Sequence, residues 1–172
     1  MVTSWVFYAA WPQPTDNSRR VWAFDVPEVE RQLMELHRPI LGFYALNGTS
    51  VAVFTETQTK ERICHAFERI RAENPDRDIL LVLDNFSSHT CAYTRSRADE
   101  LGIDLVFLPV GSPHLNPIEP LWKSLKWSIS PIAVSSTAEF CTLVRDVFQQ
   151  LTEKLSFAAD WIERFLDIQK LS

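Results

Sequence analysis

The sequence lacks the features that would assign it to a membrane or to an oxidising compartment. No apolar run approaches the ~20 residues that a membrane-spanning helix needs, and no basic region followed by an apolar run marks a signal peptide. The three cysteines, Cys64, Cys91 and Cys141, are isolated and lack metal-site spacing, which favours a reduced protein. We therefore expect a soluble cytoplasmic chain without a membrane partner.

An excess of positive charge is also missing. The chain has 17 Lys and Arg residues against 22 Asp and Glu residues, a net charge of −5, so bulk electrostatics cannot hold it on DNA. A metal-dependent nuclease remains compatible with this balance, because carboxylates hold the metal and local basic patches hold phosphates. What the chain does have is 172 residues with 46% hydrophobic content, enough for one domain over residues 1–172.

Strand and helix signals alternate along the chain and predict an α/β fold with a mixed sheet. Strands are predicted at 4–10, 21–24, 40–46, 50–55, 79–83 and 103–108. Helices are predicted at 59–72, 90–101, after Asn116, and at 136–155, where Ser136 and Glu139 suit a capping box. Asn47-Gly48 predicts a hairpin. Residues 11–18 are a predicted loop, residues 28–38 fit a helix or an irregular excursion, and a last helix after Ser156 is expected to end near 169.

Two carboxylates stand where such a fold places its sites. Residues 79–83 form an apolar run typical of a strand covered on both faces, and Asp84 follows at the carboxyl edge of the sheet. Asn116 is the predicted N-cap of the next helix, and Glu119 its third residue, where the helix N-terminus favours an ionised carboxylate. The predicted buried face of that helix consists of Ile118, Leu121, Trp122, Leu125 and Ile129.

Each polar residue here also has a purely structural interpretation. Asp84 and Asn85 suit an Asx turn, and Asn116 with Glu119 suits a variant capping box. His89 suits a residue that caps or lines the helix after Asp84. The combination is more specific than its parts, because both groups occur in order and with 34 residues between the two carboxylates.

The two motifs together resemble the catalytic core of DDE transposases. DNFSSH at 84–89 and SPHLNPIEPLW at 112–122 match the D-N-x-x-x-H and S-P-x-L-N-P-[IV]-E-x-x-W patterns of the mariner-like superfamily, which includes many insertion-sequence enzymes. The resemblance covers roughly residues 5–130. It implies a ribonuclease-H-like fold with extra C-terminal helices, and metal-dependent DNA strand cleavage and strand transfer. The implied partners are transposon ends and target DNA, with a homodimer left open.

The resemblance also implies roles for individual residues. Asp84 and Glu119 are the expected catalytic residues and the expected ligands of Mg²⁺ or Mn²⁺. Cleavage of this kind uses two cations about 4 Å apart, held by hard carboxylate oxygens. Five further residues are expected to support the ligands or to contact DNA: Asn85, His89, Asn116, Lys123 and Lys126. For the two lysines, on the exposed side of their helix, a solvated charged face is the alternative interpretation.

The first carboxylate of the family pattern is missing from its expected position. The pattern places that residue at or near Tyr8, upstream of an Arg19-Arg20-Val21-Trp22 segment that resembles the family's Arg-x-x-Trp. A phenol, with a pKa of about 10, is a poor substitute for a carboxylate at neutral pH. Asp16 and Asp25 are alternatives, although neither matches the motif position. We expect loss of one metal site, and with it loss of cleavage activity.

Three functions therefore compete at this point. The leading one is a transposase catalytic domain, and the second is a non-catalytic remnant or domesticated domain that binds DNA or a protein partner. Two observations favour the second, non-catalytic function over catalysis. The first carboxylate is missing, and the chain begins almost directly on the first strand, without the helix-turn-helix region of the family. A resolvase or exonuclease of the same fold is the third, less compatible with SPHLNPIEPLW.

Overall fold

A five-stranded mixed sheet organises the part of the chain that the structure describes. The computed structural model covers residues 2–10, for which the backbone is described, 39–132 and 134–159. Its strands are β1 (Val2–Ala10), β2 (Ile40–Ala45), β3 (Val51–Phe54), β4 (Asp78–Leu83) and β5 (Ile103–Phe107). Their spatial order is β3-β2-β1-β4-β5. β1 pairs antiparallel with β2 and parallel with β4, and β4 pairs parallel with β5.

Helices cover both faces of this sheet. They are α1 (Lys60–Glu73), α2 (Ser87–Thr90), α3 (Ala92–Glu100), α4 (Ile118–Ile129) and α5 (Thr137–Thr152). Two 3₁₀ turns, Pro113–Leu115 and Leu155–Phe157, precede α4 and follow α5. None of the helices in the described ranges is long and apolar enough to cross a membrane.

Successive side chains of each strand point to opposite faces of the sheet, so the hydrophobic core is divided into two layers. On one face, α1 and α3 pack against side chains that include Leu41, Phe43 and Leu81. On the other face, α4 and α5 pack against Ile40, Tyr44 and Val82. The predicted apolar face of α4 is confirmed, since Ile118, Leu121, Trp122, Leu125 and Ile129 are all buried. Because α4 lies on the face to which Val82 contributes, it lies beside the residues that follow β4.

The structure confirms most of the predicted elements and corrects their details. The hairpin at Asn47-Gly48 is present, but five residues connect β2 to β3, and the positive φ typical of its tight turn is not found at Gly48. The helix predicted at 90–101 corresponds to α3, and it begins only at Ala92, because Cys91 has an extended ψ of 153° and separates α3 from α2. Gly102 follows it with φ 63°, as a helix-ending glycine should.

The predicted capping box of α5 is half confirmed. The Glu139 backbone N–H donates to Ser136 Oγ at 3.1 Å. The Glu139 carboxylate, however, accepts from the backbone N–H and the hydroxyl of Ser135, at 2.7 and 2.6 Å. The predicted loop at 11–18, the strand at 21–24, the segment 28–38 and the last helix beyond 159 lie outside the described residues, as do Asp16 and Asp25.

Candidate active site

Asp84 lies immediately after β4, at the carboxyl edge of the sheet. Its Oδ1 accepts a hydrogen bond from the Phe86 backbone N–H at 3.1 Å, so the predicted Asx turn is present. The same oxygen is 2.6 Å from Nδ1 of His89, whose side chain is only 4% exposed. His89 in turn is held in α2, and its ring meets the Phe86 ring edge-on at 5.5 Å between centroids. The turn therefore fixes the direction of the Asp84 carboxylate.

Opposing influences act on the Asp84 carboxyl group. Burial raises its pKa, whereas the hydrogen bond from His89, the Phe86 N–H and the charge of His89 lower it, and the lowering influences together prevail. The net pKa lies below the ordinary value, so Asp84 is a carboxylate at neutral pH. Its side chain is 37% exposed, which leaves it accessible from solvent.

Glu119 occupies the first turn of α4. The helix begins at Ile118, so Glu119 is its second residue rather than its third, and Pro117 rather than Asn116 is the capping residue. Asn116 still serves the turn, because its Oδ1 accepts from the Ile118 N–H at 3.3 Å and its carbonyl accepts from the Glu119 N–H at 3.2 Å. Asn116 is 2% exposed and therefore supports the backbone that carries Glu119.

The pKa of Glu119 is raised, because burial and then the negative charge of Asp84 both oppose its ionisation. The charge of Lys126 acts in the opposite direction and is the weaker influence. This direction is opposite to the influence expected of the helix N-terminus, and the expectation that Glu119 is ionised at neutral pH stays a prediction. Across the described residues, the Glu119 carboxylate accepts no hydrogen bond. Asp84 and Glu119 are therefore two acidic groups that repel each other at one edge of the sheet.

The other predicted site residues occupy different environments. The Asn85 side-chain amide donates to the Leu108 carbonyl, which ties the loop after β4 to the chain after β5. Lys123 is exposed as predicted, but Lys126 is half-buried, and its charge acts on Glu119. The influence of Lys126 on the pKa of Glu119 was not predicted from the sequence, although the spacing of seven residues, two helical turns, places the two on the same side of α4.

Backbone pairing places Tyr8 on the same line across the sheet as Asp84. In the parallel β1–β4 pair, Val6 is opposite Val82, so two residues further along Tyr8 is level with Asp84. On its other side Tyr8 pairs with Gly42 of β2. That the first carboxylate of the family pattern falls at Tyr8 stays a prediction. No group of three or more His, Cys, Asp or Glu side chains that could hold a metal is found within residues 39–132 and 134–159.

Comparison with known proteins finds a family model and solved structures to which the chain is similar. A family model described as DDE superfamily endonuclease matches residues 26–141, more than half of the chain. The chain is similar to the catalytic domain of Mos1 mariner transposase, with TM-score 0.57 and 14% identity, over 88% of this chain and 76% of that one. It is also similar to the Mos1 transposase paired-end complex with left transposon end, with TM-score 0.63 and 12% identity, over 91% and 52%.

A third similar structure is that of the Mos1 transposase catalytic domain and raltegravir with Mg, with TM-score 0.59 and 12% identity, over 88% of this chain and 77% of that one. No curated protein sequence matches the chain. The chain spans about half the length of the chains in the Mos1 Strand Transfer Complex and the Mos1 paired-end complex, 51% and 52%. At these identities the likeness concerns the fold, which is ribonuclease-H-like as expected.

Proposed function

Because this chain belongs to the DDE superfamily of endonucleases, we propose that residues 1–172 form the catalytic domain of an insertion-sequence transposase. The proposed reaction is metal-dependent cleavage and transfer of DNA strands at Asp84 and Glu119. The observation that supports it best is the placement of the two carboxyl groups, Asp84 directly after β4 and Glu119 in the first turn of α4. A cation bound between them would offset their negative charges.

The donor set fits a hard divalent cation such as Mg²⁺ or Mn²⁺. Asp84 and Glu119 offer carboxylate oxygens, which these ions prefer; Asp84 follows β4 directly and Glu119 belongs to α4. When bound, such a cation polarises the phosphate and activates the attacking oxygen in an in-line displacement. His89 holds Asp84 in one orientation, and buried Asn116 holds the first turn of α4. These contacts preorganise the two ligands before metal or DNA arrives.

The proposed partner is DNA, with transposon ends and target as substrates. The Mos1 structures include a paired-end complex with a transposon end, which supports this choice and an assembly of two copies. Exposed Lys123 is suited to meet a phosphate, because α4 carries it on the same helix as Glu119. We also propose a cytoplasmic location, supported by free thiols at Cys64, Cys91 and Cys141.

A second candidate function is non-catalytic binding of DNA or of a protein partner. The observation that favours it is the register of β1, which puts Tyr8 level with Asp84. A chain without the first carboxylate would keep the fold while losing the metal-dependent step. The two candidates share ancestry and differ in chemistry, so an activity measurement separates them.

The experiment is a nicking assay on supercoiled plasmid with Mn²⁺, using the native chain, Asp84→Asn and Glu119→Gln. Nicking that both substitutions abolish supports the transposase. Asp104→Asn is the matched control, since Asp104 is an exposed carboxylate on edge strand β5 and should leave nicking unchanged. If the native chain binds DNA in an anisotropy titration but does not nick it, the second candidate is favoured. Nicking that survives in both site variants contradicts the assignment of the site.

A further inference from the structure

Two apolar side chains are exposed beside the Asp84 turn. Phe86 is 44% exposed and Val110 is 86% exposed, and neither belongs to the core layers of the described residues. Single exposed apolar residues are normal on a protein surface, whereas neighbouring ones beside a site often mark a binding surface. Exposed Ile132, by contrast, lies beyond the end of α4 that is far from Glu119. The environment of Phe86 and Val110 therefore differs from that of an ordinary surface residue.

The sheet brings these two residues to the same edge. The parallel ladder between β4 and β5 ends at the pair Leu83 and Phe107. Phe86 and Val110 each lie three residues beyond this pair. Adjacent strands are about 4.8 Å apart, so the two segments leave the sheet side by side. The Asn85 amide, which donates to a carbonyl after β5, holds the segments together.

Phe86 is hydrogen-bonded directly to the proposed metal ligand. Its backbone N–H donates to Asp84 Oδ1 at 3.1 Å, and its ring lies 5.5 Å from the His89 ring, between centroids. The Phe86 carbonyl accepts from the His89 N–H at 2.8 Å, which closes the short helix α2. The turn therefore fixes the position of Phe86 relative to the Asp84 carboxylate.

Val110 is held by a turn of its own. The Ser112 N–H donates to the Pro109 carbonyl at 3.3 Å, so Val110 lies inside a four-residue turn. Gly111 has φ 72°, which a type II turn requires at its third residue. The backbone of this turn, rather than burial of the side chain, therefore holds Val110 in place.

A DNA phosphate bound at this edge brings a sugar and a base with it. A cation between Asp84 and Glu119 would hold the phosphate, and the rest of that nucleotide must then lie beside the site. An exposed aromatic ring is a stacking platform for a base of any identity. Two side chains are too small a surface for a protein partner, since a stable protein interface covers about 800 Å² on each side. The face of a single base matches what Phe86 and Val110 offer.

We propose that Phe86 and Val110 bind the base of the nucleotide whose phosphate lies at the carboxylate pair. The base stacks on the Phe86 ring, and Val110 packs against the base from the neighbouring turn. This inference rests on the proposed function, because it takes DNA as the substrate of the same site. Phe86 is thereby a substrate-positioning residue, and its contact tolerates any sequence because every base has a π-face.

Binding of a single DNA strand tests the stacking without any turnover. The probes are a labelled oligothymidine and the same strand with an abasic tetrahydrofuran residue at every position, compared by anisotropy in the presence of Ca²⁺. We expect the native chain to bind oligothymidine at least about fivefold more tightly, the lower end of what one stacked base contributes. Equal binding of the two strands, or no binding of either, overturns the inference. The plasmid nicking assay then decides the proposed function independently.

Substitutions assign the preference to the two residues. Phe86→Ala should weaken binding of oligothymidine about 5- to 150-fold and leave binding of the abasic strand unchanged. Phe86→Trp keeps an aromatic face and should keep the preference, and Val110→Ala should cause a smaller loss. Ile132→Ala, an exposed apolar residue far from Glu119, is the matched control and should bind both strands as the native chain does. If Phe86→Ala weakens both strands equally, Phe86 does not contact a base and the inference is wrong.

Two further measurements separate base contact from support of the turn and from self-association. Phe86→Ala keeps the backbone N–H that bonds Asp84, so its Mn²⁺ affinity and its unfolding midpoint should stay close to those of the native chain. A selective loss of Mn²⁺ binding in Phe86→Ala would show that the ring supports the Asp84 turn instead, and would overturn the inference. Sedimentation that finds a dimer dissociated by Phe86→Ala would identify a second copy as the occupant, with the same consequence.

Discussion

Trp122 of α4 lies directly against Gly42 of β2, so closely that a methyl group on Gly42 would overlap Cζ2 and Cη2 of the indole ring. The same ring packs against Phe148 of α5, with 5.3 Å between ring centroids. Only glycine lets the helix approach the sheet this far. Glu119 lies one turn before Trp122, so the contact also sets the distance between Glu119 and the edge where Asp84 lies.

Gly42→Ala is therefore expected to destabilise the fold by about 1–3 kcal/mol, the usual cost of overpacking. It should also weaken Mn²⁺ binding, because α4 must move away from the sheet. Chemical denaturation and calorimetry measure the two effects. Trp122→Phe should recover part of the loss in the double variant, since a smaller ring leaves room for the methyl group. A double variant that is no better than the sum of the single ones would contradict this packing argument.

Tyr8→Asp is expected to raise Mn²⁺-dependent nicking of supercoiled DNA above the level of the native chain. The reason is that a carboxylate level with Asp84 would hold the second cation, and positioned charge is usually the largest catalytic contribution. Tyr8→Asn is the control, because it changes size and polarity in a similar way without adding a charge. If the native chain already cuts, and Asp16→Asn or Asp25→Asn abolishes the cutting, the first carboxylate lies elsewhere.

Should neither the native chain nor Tyr8→Asp cut plasmid DNA, the assay is repeated with a DNA-reading region fused ahead of residue 1. Substrate delivery is then no longer limiting. Continued inactivity of the fused Tyr8→Asp protein would rule out Tyr8 as the sole missing ligand.

Glu119→Gln is expected to raise the unfolding temperature of the metal-free protein at pH 7. The pKa of Glu119 is raised by burial and by Asp84, so ionised Glu119 costs stability above its folded-state pKa. That cost disappears as the pH falls through the raised pKa and below the ordinary value of 4.5, so the advantage of Glu119→Gln should vanish there. Thermal unfolding between pH 4 and 8 measures the difference, and a gain that is constant across this range would contradict the electrostatic cause.

Asp84→Asn provides a control of opposite sign. The pKa of Asp84 is lowered overall, so its ionised form stabilises the fold above the ordinary value of 3.8, and this contribution is lost as the pH falls through the lowered pKa. The substitution should therefore lower the unfolding temperature at pH 7. Added Mg²⁺ should stabilise the native chain and neither variant.

Arg71→Met is expected to cost about 1–3 kcal/mol of stability through lost charge-assisted hydrogen bonds. The guanidinium donates to carbonyls at the ends of two elements: Leu101 at 2.8 Å, Gly102 at 2.6 Å and Arg77 at 2.7 Å. Arg71→Lys should recover only part, because an ammonium cannot match this fork of donors. Arg69→Met, an exposed neighbour with a surface ion pair, should change stability by no more than about 0.5 kcal/mol.

Much of this architecture could be predicted from local sequence patterns. The apolar period of α4, the hairpin flanks and the strand that ends at Asp84 all depend on neighbours within a few residues. The site pair could be predicted because a motif encodes it: each carboxylate follows a local signal, a strand end or a helix start. The resemblance then supplied the expectation that the two signals meet.

What could not be predicted depends on contacts between distant residues. Nothing near Gly42 in the sequence reports that Trp122 will pack on it. The raised pKa of Glu119 depends on burial and on the charge of Asp84, and neither is apparent from the residues next to Glu119 in the sequence. The break at Cys91 is equally hidden, because Thr94 Oγ1 bonds the Ser88 carbonyl at 2.6 Å and stabilises a bend inside a sequence with helical character.

The central place of β1 in the sheet has a consequence for how the molecule is made. Val2 pairs with Asp78, and Ala10 with Ile40, so β1 leaves the ribosome well before the strands with which it pairs are synthesised. Pairings this far apart in sequence form slowly, because a long loop must close before any contact is gained. The β2–β3 hairpin can form early, whereas the edge that joins Tyr8 to Asp84 forms last. Until then an unpaired β1 is open to other nascent chains, and aggregation competes with completion of the site.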